Sequence, residues 1–285
     1  MAGNDQRGAV LITGASTGIG QATALRLDSM GFRVFAGVRR ESDGETLKEK
    51  ASGRLRVVHP LDVTKPEDIS AALAYVEAEL GGAPLSAIVN NAGIALGGPL
   101  EALDLDDLRR QIEINTVAPI AVAQAFLPLL RAAKGRIVNI SSIGGRLAQP
   151  FVGPYAISKF GVEAATDVLR LELMEWDIEV VAIEPGTVST PIWDKGSAQV
   201  EEGLEKMTPE QRSLYGARLA KMAKVLEKQN DRGVPPQKVA DAVAQALISG
   251  KPKPRYLVGD ARMLLSLKTL LPTRLLDKLL YRLTS

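Results

Sequence analysis

Short apolar runs alternate with longer amphipathic stretches over the first 190 residues of the chain. Residues 9–13 form an unbroken aliphatic run followed by glycines, which predicts a buried strand. The same signature predicts strands at 33–38, 55–59, 87–90, 136–140 and 179–183, with a short last one at 256–258. Helices are predicted at 18–30, ended by Gly31, and at 66–80, where Pro66 suits a first turn and a Gly pair follows. A long helical stretch covers 105–133, with a break or bend expected before Pro119. Further helices are predicted at 154–176 and 235–248. Apolar strands separated by helices run parallel and are buried on both faces. Right-handed crossovers then wind about seven strands into one doubly wound α/β sheet.

No proline-rich linker and no repeat divides the chain, so all 285 residues are expected to form a single domain. Residues 1–190 make the core. Residues 193–231 are charged, helical in pattern and free of strand runs, and predict a substrate cap spanning 191–234. Residues 235–259 supply the last helix and strand, and 260–285 a leucine-rich tail.

Composition narrows the picture. Hydrophobic residues make up 46%, enough for a large core. Lys plus Arg number 35 against 33 Asp plus Glu, and a net charge of +2 argues against a nucleic-acid partner. There is no cysteine, which excludes disulfides, thiol nucleophiles and thiolate metal sites. The single histidine, His59, has no partners for a metal site or a triad and reads as a strand end, so no metal is expected. The N-terminus shows no long apolar run behind basic residues. Neither a signal peptide nor a transmembrane span is expected, and the location expected is cytoplasmic.

The stretch Thr13-Gly14-Ala15-Ser16-Thr17-Gly18-Ile19-Gly20 joins the first strand to the first helix. Backbone N–H groups at a helix start form an anion site, and glycines let a pyrophosphate approach. The spacing is neither G-x-G-x-x-G nor a P-loop, and a bare strand–helix turn is the competing reading. The second strand ends Gly37-Val38-Arg39-Arg40. NAD sites usually carry a carboxylate there for the ribose 2′-hydroxyl; here guanidiniums stand in its place. Arg39 and Arg40, with Ser16 as a second donor, suit the 2′-phosphate of NADP(H). Glu41 and Asp43 lie close enough to keep NAD(H) as the less favoured alternative.

Further along come Leu61-Asp62-Val63, Asn90-Asn91-Ala92-Gly93, Asn115, Ser142, Tyr155-x-x-x-Lys159 and Pro185-Gly186-x-Val188-x-Thr190. Together with the glycine loop, these motifs resemble the short-chain dehydrogenases/reductases over nearly the full length. The stretch 34–39 and the long cap resemble that family's retinol- and hydroxysteroid-dehydrogenase-like branch. The resemblance implies a Rossmann-type fold and oxidoreductase activity on CH–OH and C=O groups. It assigns Asp62 and Val63 to the adenine, and Asn91, Ala92 and Gly93 to the nucleoside side. Pro185, Gly186, Val188 and Thr190 go to the nicotinamide end. Asn115, Ser142, Tyr155 and Lys159 match the catalytic four. A homodimer or homotetramer is also implied, formed through helices 105–133 and 154–176.

The chemistry gives these residue types a reason. A phenol has an ordinary pKa of about 10, and a nearby cation favours its phenolate. Tyr155 and Lys159 stand four apart on one helix face, where Lys159 can also bond the nicotinamide ribose. Ser142 can hold the substrate oxygen, and its spacing to Tyr155 favours it over Ser141. Asn115 is implied to bend its helix through a water and complete a proton path. Alone, a Tyr-x-x-x-Lys pair is an ordinary helix-surface contact; the surrounding motifs decide the matter.

Ile143, Leu147, Phe151, Ile192 and Trp193, with Ser142 and Tyr155, are the candidates for the substrate wall, which suggests a small lipophilic alcohol or ketone, steroid-, retinoid- or lipid-like. Two readings compete with that one. The apolar residues can merely pack the cap, and Arg146 can serve a smaller, polar keto compound. A cofactor-binding regulatory protein on the same fold is the alternative from another class. In the tail, leucines recur at helical spacing with Lys268, Arg274, Lys278 and Arg282 between them. The tail can fold over the substrate mouth, make a subunit contact, or rest peripherally on a membrane.

Overall fold

Strand β1 (Ala9–Ile12) is buried at every position and lies between β2 (Arg33–Gly37) and β4 (Leu85–Asn90). The remaining strands are β3 (Arg56–Val58), β5 (Arg136–Ile140), β6 (Glu179–Pro185) and β7 (Arg255–Val258). All pairings are parallel, in the order β3-β2-β1-β4-β5-β6-β7. The computed structural model describes residues 7–191 and 204–284. Alternate residues of each strand enter opposite cores. Val10, Ile12, Val34 and Ala36 join one apolar cluster, while Leu11, Phe35 and Ile88 join the other with Phe126 and Leu130. Strand order reverses between β1 and β4, and a crevice opens at that switch point beyond their carboxyl ends.

The helices follow the apolar pattern with instructive departures. α1 (Gly18–Ser29) and α3 (Pro66–Leu80) form where the sequence predicts them, α3 with Pro66 in its first turn and Gly81 left-handed at its end. α2 (Glu41–Lys48) has no strong apolar signature; Leu47 is its one fully buried large side chain. The stretch 105–133 is not one helix. It divides into α4 (Leu105–Ile112), a π-turn (Glu113–Val117) and α5 (Ala118–Ala133). By length and composition this stretch resembles a membrane-crossing helix, yet α5 packs on β4 and α3. α6 (Gly153–Glu172) stops short of Trp176, and a 3-10 turn (Met174–Trp176) leads to Asp177 at φ 53°.

The cap contributes α7 (Pro209–Arg232), started by a Thr208–Gln211 capping box. α8 (Pro236–Ile248) packs on α1. The tail folds into α9 (Ala261–Leu270) and α10 (Thr273–Thr284), divided at Pro272. α9 packs on β7 and the Ile143–Gly145 turn, and α10 packs on α7.

Candidate active site

A cleft of about 330 Å³ opens at the carboxyl ends of the central strands. Gly14, Ser16, Thr17, Gly18 and Ile19 form one side of it. Gly14 adopts φ 65°, and a Cβ there would lie 2.8 Å from the Ala92 Cα. Only glycine lets the loop and the end of β4 approach so closely. Gly20 lies behind the wall, where a Cβ would collide with the Gly14 carbonyl oxygen. Asn91 fastens this end of the cleft. Its Nδ2 donates to the Thr13 and Gly14 carbonyls at 3.0 and 2.9 Å. The backbone N–H groups of Asn91 and Ala92 each donate to Thr13 Oγ1 at 3.1 Å. The loop so held brings the start of α1, at Gly18, onto the cleft wall, and free backbone N–H groups at a helix start fit a dinucleotide pyrophosphate.

At the end of β2, Arg39 and Arg40 are both exposed on the cleft wall. Arg40 is already engaged: Nε and Nη2 donate to the two Asp43 oxygens, each at 3.0 Å. Asp43 itself lines the cleft. Arg39 and Arg40 thus both stand on the wall as the sequence suggests, Arg40 with a carboxylate partner. Asp62, Val63, Asn91, Ala92 and Gly93 continue the wall. Burial pushes the Asp62 carboxyl up, but hydrogen bonds from Thr64 and the charges of Arg39 and Lys65 outweigh it. The group is held below the ordinary carboxylate value. Pro185, Gly186, Val188 and Thr190 close the far side.

Ser142, Tyr155 and Lys159 meet on this wall. Ser142 Oγ accepts from the Gly144 N–H at 3.0 Å and is hydrogen-bonded to the Tyr155 phenol. Ser141 also borders the cleft, but its hydroxyl is buried without a hydrogen-bond partner among the described residues. Lys159 Nζ donates to the Ile140 carbonyl at 2.8 Å and lies 5.7 Å from the centre of the Tyr155 ring. Desolvation raises the phenol above its ordinary value, with the Ser142 bond working against it. Desolvation also lowers the lysine to about 8, opposed by the charge of Glu163. Burial is thus the leading influence on both groups.

Asn115 stands behind the wall, almost fully buried in the π-turn. Its Nδ2 donates to the Ile94 carbonyl at 2.8 Å and Ser158 Oγ at 2.9 Å, while its Oδ1 accepts from the Ile94 N–H at 2.9 Å. Ser158 Oγ in turn donates to the Tyr155 carbonyl at 2.8 Å. The bend is thus a π-turn whose asparagine ties the loop after β4 to the helix of Tyr155. Its side-chain amide is committed to that frame.

Three of the apolar candidates for the substrate wall pack away from this cleft. Ile143 and Leu147 are buried with Ala261 and Leu276, under the tail. Phe151 is buried with Met207, Leu219 and Met222, under the cap. None of the three lines the cleft among the described residues. Ile192 and Trp193 lie outside the described residues. Ile94, Ala95 and Ile114 are among the apolar residues that do line the cleft. Their positions carried a signal: two directly follow Asn90-Asn-Ala-Gly93 at a strand end, and one precedes Asn115.

The sequence profile described as short chain dehydrogenase matches residues 8–201. The chain belongs to this family. Retinol dehydrogenase 5 of Homo sapiens is 38% identical over 278 residues, spanning 95% of this chain and 87% of that protein. 17-beta-hydroxysteroid dehydrogenase type 6 of Homo sapiens is 37% identical, spanning 96% and 87%. A protein of Ornithobacterium rhinotracheale named NADPH-dependent 3-dehydrocapnine reductase is 34% identical, spanning 95% of each. A solved short-chain dehydrogenase from Streptomyces avermitilis superposes with a TM-score of 0.76 at 26% identity, covering 94% of this chain and 93% of that one. The chain is a short-chain dehydrogenase/reductase of the retinol- and hydroxysteroid-dehydrogenase-like branch, and an oxidoreductase of alcohols and carbonyl compounds.

Proposed function

We propose that this short-chain dehydrogenase uses NADP(H) to interconvert a lipophilic primary or secondary alcohol and its carbonyl compound. The observation that carries the chemistry is the Tyr155–Ser142 hydrogen bond on the cleft wall, with the Lys159 ammonium beside it. Desolvation keeps the phenol protonated at neutral pH, the state a proton donor to a carbonyl oxygen needs. NADPH, when bound, supplies the hydride. Ser142 Oγ orients the carbonyl oxygen, Tyr155 Oη gives up its proton, and Lys159 stabilises the phenolate left behind. In the oxidising direction that phenolate receives the proton.

Support for NADP(H) comes from the guanidiniums at the end of β2 and from the relative named for NADPH. Support for a lipophilic substrate comes from Ile94, Ala95 and Ile114 on the cleft wall and from the relatives named for retinol and hydroxysteroids. Asp43 in the cleft favours a second reading, NAD(H) with a smaller polar keto compound. Initial rates with both cofactors across steroid, retinoid and short keto-acid substrates separate the two. We expect kcat/KM to favour NADPH and a lipophilic carbonyl by about tenfold or more. Tighter binding of NADH, or faster turnover of the keto acids, would overturn the corresponding half.

We also read residues 1–285 as one working domain that forms a homo-oligomer. Val117 beside α5, and Ile157, Phe160, Val168 and Leu171 on α6, are exposed apolar side chains in support of a shared helical contact. The tail's inner leucines are taken up by Ile143 and Leu147, which supports a cover over the catalytic loop. Its outer face keeps Met263, Leu270 and Leu275 exposed, which supports a peripheral lipid contact as well.

A further inference from the structure

Behind the tyrosine and lysine runs a buried chain of charges. Glu184, next to the end of β6, is fully buried, with Oε1 3.2 Å from Arg146 Nη1 and 2.9 Å from Arg255 Nε. Arg255, at the start of β7, also donates from Nε to Glu163 Oε2 at 3.0 Å and from Nη2 to Asp167 Oδ2 at 2.7 Å. One guanidinium therefore serves three carboxylates and does not neutralise any of them fully. Arg170 and Arg146 take up charge only at the far ends, on Asp167 and Glu184.

Glu163 is the member nearest the catalytic machinery. It follows Lys159 by one turn of α6, so both side chains share a helix face, and both residues are buried. Gly145 lies over this turn. A Cβ there would sit 2.8 Å from the Lys159 carbonyl oxygen and 3.0 Å from Glu163 Cγ, so the loop after Ser142 seals the pair from above. Glu163 Oε2 is bonded to Arg255, while Oε1 is buried without a hydrogen-bond partner among the described residues.

We propose that Glu163 is a positioning residue for Lys159: its buried carboxylate, clamped by Arg255, is the anion that keeps the ammonium charged beside Tyr155. The proposal rests on reading Tyr155 as the proton carrier and Lys159 as its supporting cation. Burial pulls the lysine to about 8, and Glu163 is the charge that opposes the pull. The other ionisable groups on the surrounding elements are accounted for. Tyr155, Asp167 and Arg170 share α6; Arg146, Glu184 and Arg255 belong to the chain just described. Lys268 of the tail donates to the Arg146 carbonyl. Glu113 of the π-turn is exposed, as are Arg109 and Arg110 of α4, and Arg109 pairs with Asp106.

The test is the kcat–pH profile for carbonyl reduction, from about pH 6 to about pH 10, of wild type, Glu163→Gln and Glu163→Asp. Glutamine keeps the volume and an oxygen for Arg255 but removes the charge. Aspartate keeps the charge on a stem one methylene shorter. In Glu163→Gln the alkaline limb should move down by about one unit, and in Glu163→Asp it should stay near wild type. Both variants should lose some stability, because a buried ion pair or its packing is altered, so the profiles are read well below each unfolding midpoint. An unmoved limb in Glu163→Gln, or the same displacement in both variants, overturns the proposal. Failure of the underlying reading looks different: Tyr155→Phe would retain full turnover.

Discussion

At the glycine-loop end of the cleft, Asn91 spends its amide protons on the Thr13 and Gly14 carbonyls, and Thr13 Oγ1 gathers two backbone N–H groups. At the other end, the loop after Ser142 is held from outside by apolar packing. Leu276 and Ala261 of the tail cover Ile143 and Leu147, and methionines of the cap cover Phe151. Arg218 of α7 lies 5.2 Å from the Phe151 ring and 4.5 Å from the Tyr281 ring, joining cap, loop and tail. Directed hydrogen bonds require particular residues at particular positions. Apolar packing requires only volume and shape, and is met by many sequences. The glycine-loop end therefore depends on particular residue types, and the Ser142 end on volume and shape.

The largest effect should come where the two ends meet. Tyr155→Phe removes the phenol oxygen and the Ser142 bond but leaves the cradle around Gly14 and Asn91 untouched. Turnover should fall by about 10²–10⁴-fold, with NADPH affinity nearly unchanged, in parallel steady-state and cofactor-titration measurements. A matching loss of NADPH affinity would show that the two ends are not separable. A smaller effect is expected from Leu147→Ala, which opens a hole under the tail. It should cost about 2–5 kcal/mol of stability in denaturant unfolding. NADPH affinity should again hold, because Leu147 is off the cleft wall. A wild-type unfolding midpoint would mean that the tail contact is not a clamp.

The same contrast explains what the sequence reveals and what it hides. The glycine loop, Asn90-Asn-Ala-Gly93, Ser142, Tyr155 and Lys159 are legible because each residue type answers a backbone or proton requirement. The strands are legible because burial on both faces leaves unbroken apolar runs. α2 is hidden because Glu41–Lys48 is mostly polar and has a glycine inside it. The bend before Pro119 is legible, but its π-type is not, because one extra residue in a helical turn does not alter composition. Ile143, Leu147 and Phe151 lie between Ser142 and Tyr155, which makes them look like substrate wall. Their true neighbours, among them Ala261, Leu276 and Met207, lie far away in the chain. Local sequence does not say whether an apolar residue faces a ligand or a helix.

The smallest effect separates two readings inside the cofactor end itself. Arg40 and Asp43 form a two-pronged pair, with the arginine side chain 76% exposed. An exposed pair of this kind contributes little to stability, so breaking it should leave unfolding nearly unchanged. Its consequence is electrostatic. With Asp43 in place, one of the two guanidiniums at the end of β2 faces a carboxylate, and that carboxylate also repels a 2′-phosphate. Asp43→Asn removes the repulsion and releases Arg40 for the phosphate. The ratio of NADH to NADPH dissociation constants should then rise several-fold, mostly through tighter NADPH binding. If Asp43 instead accepts from the 2′-hydroxyl of NADH, the substitution should weaken NADH and leave NADPH where it was. Comparing the two constants separately, rather than their ratio, distinguishes release of a cation from loss of an acceptor.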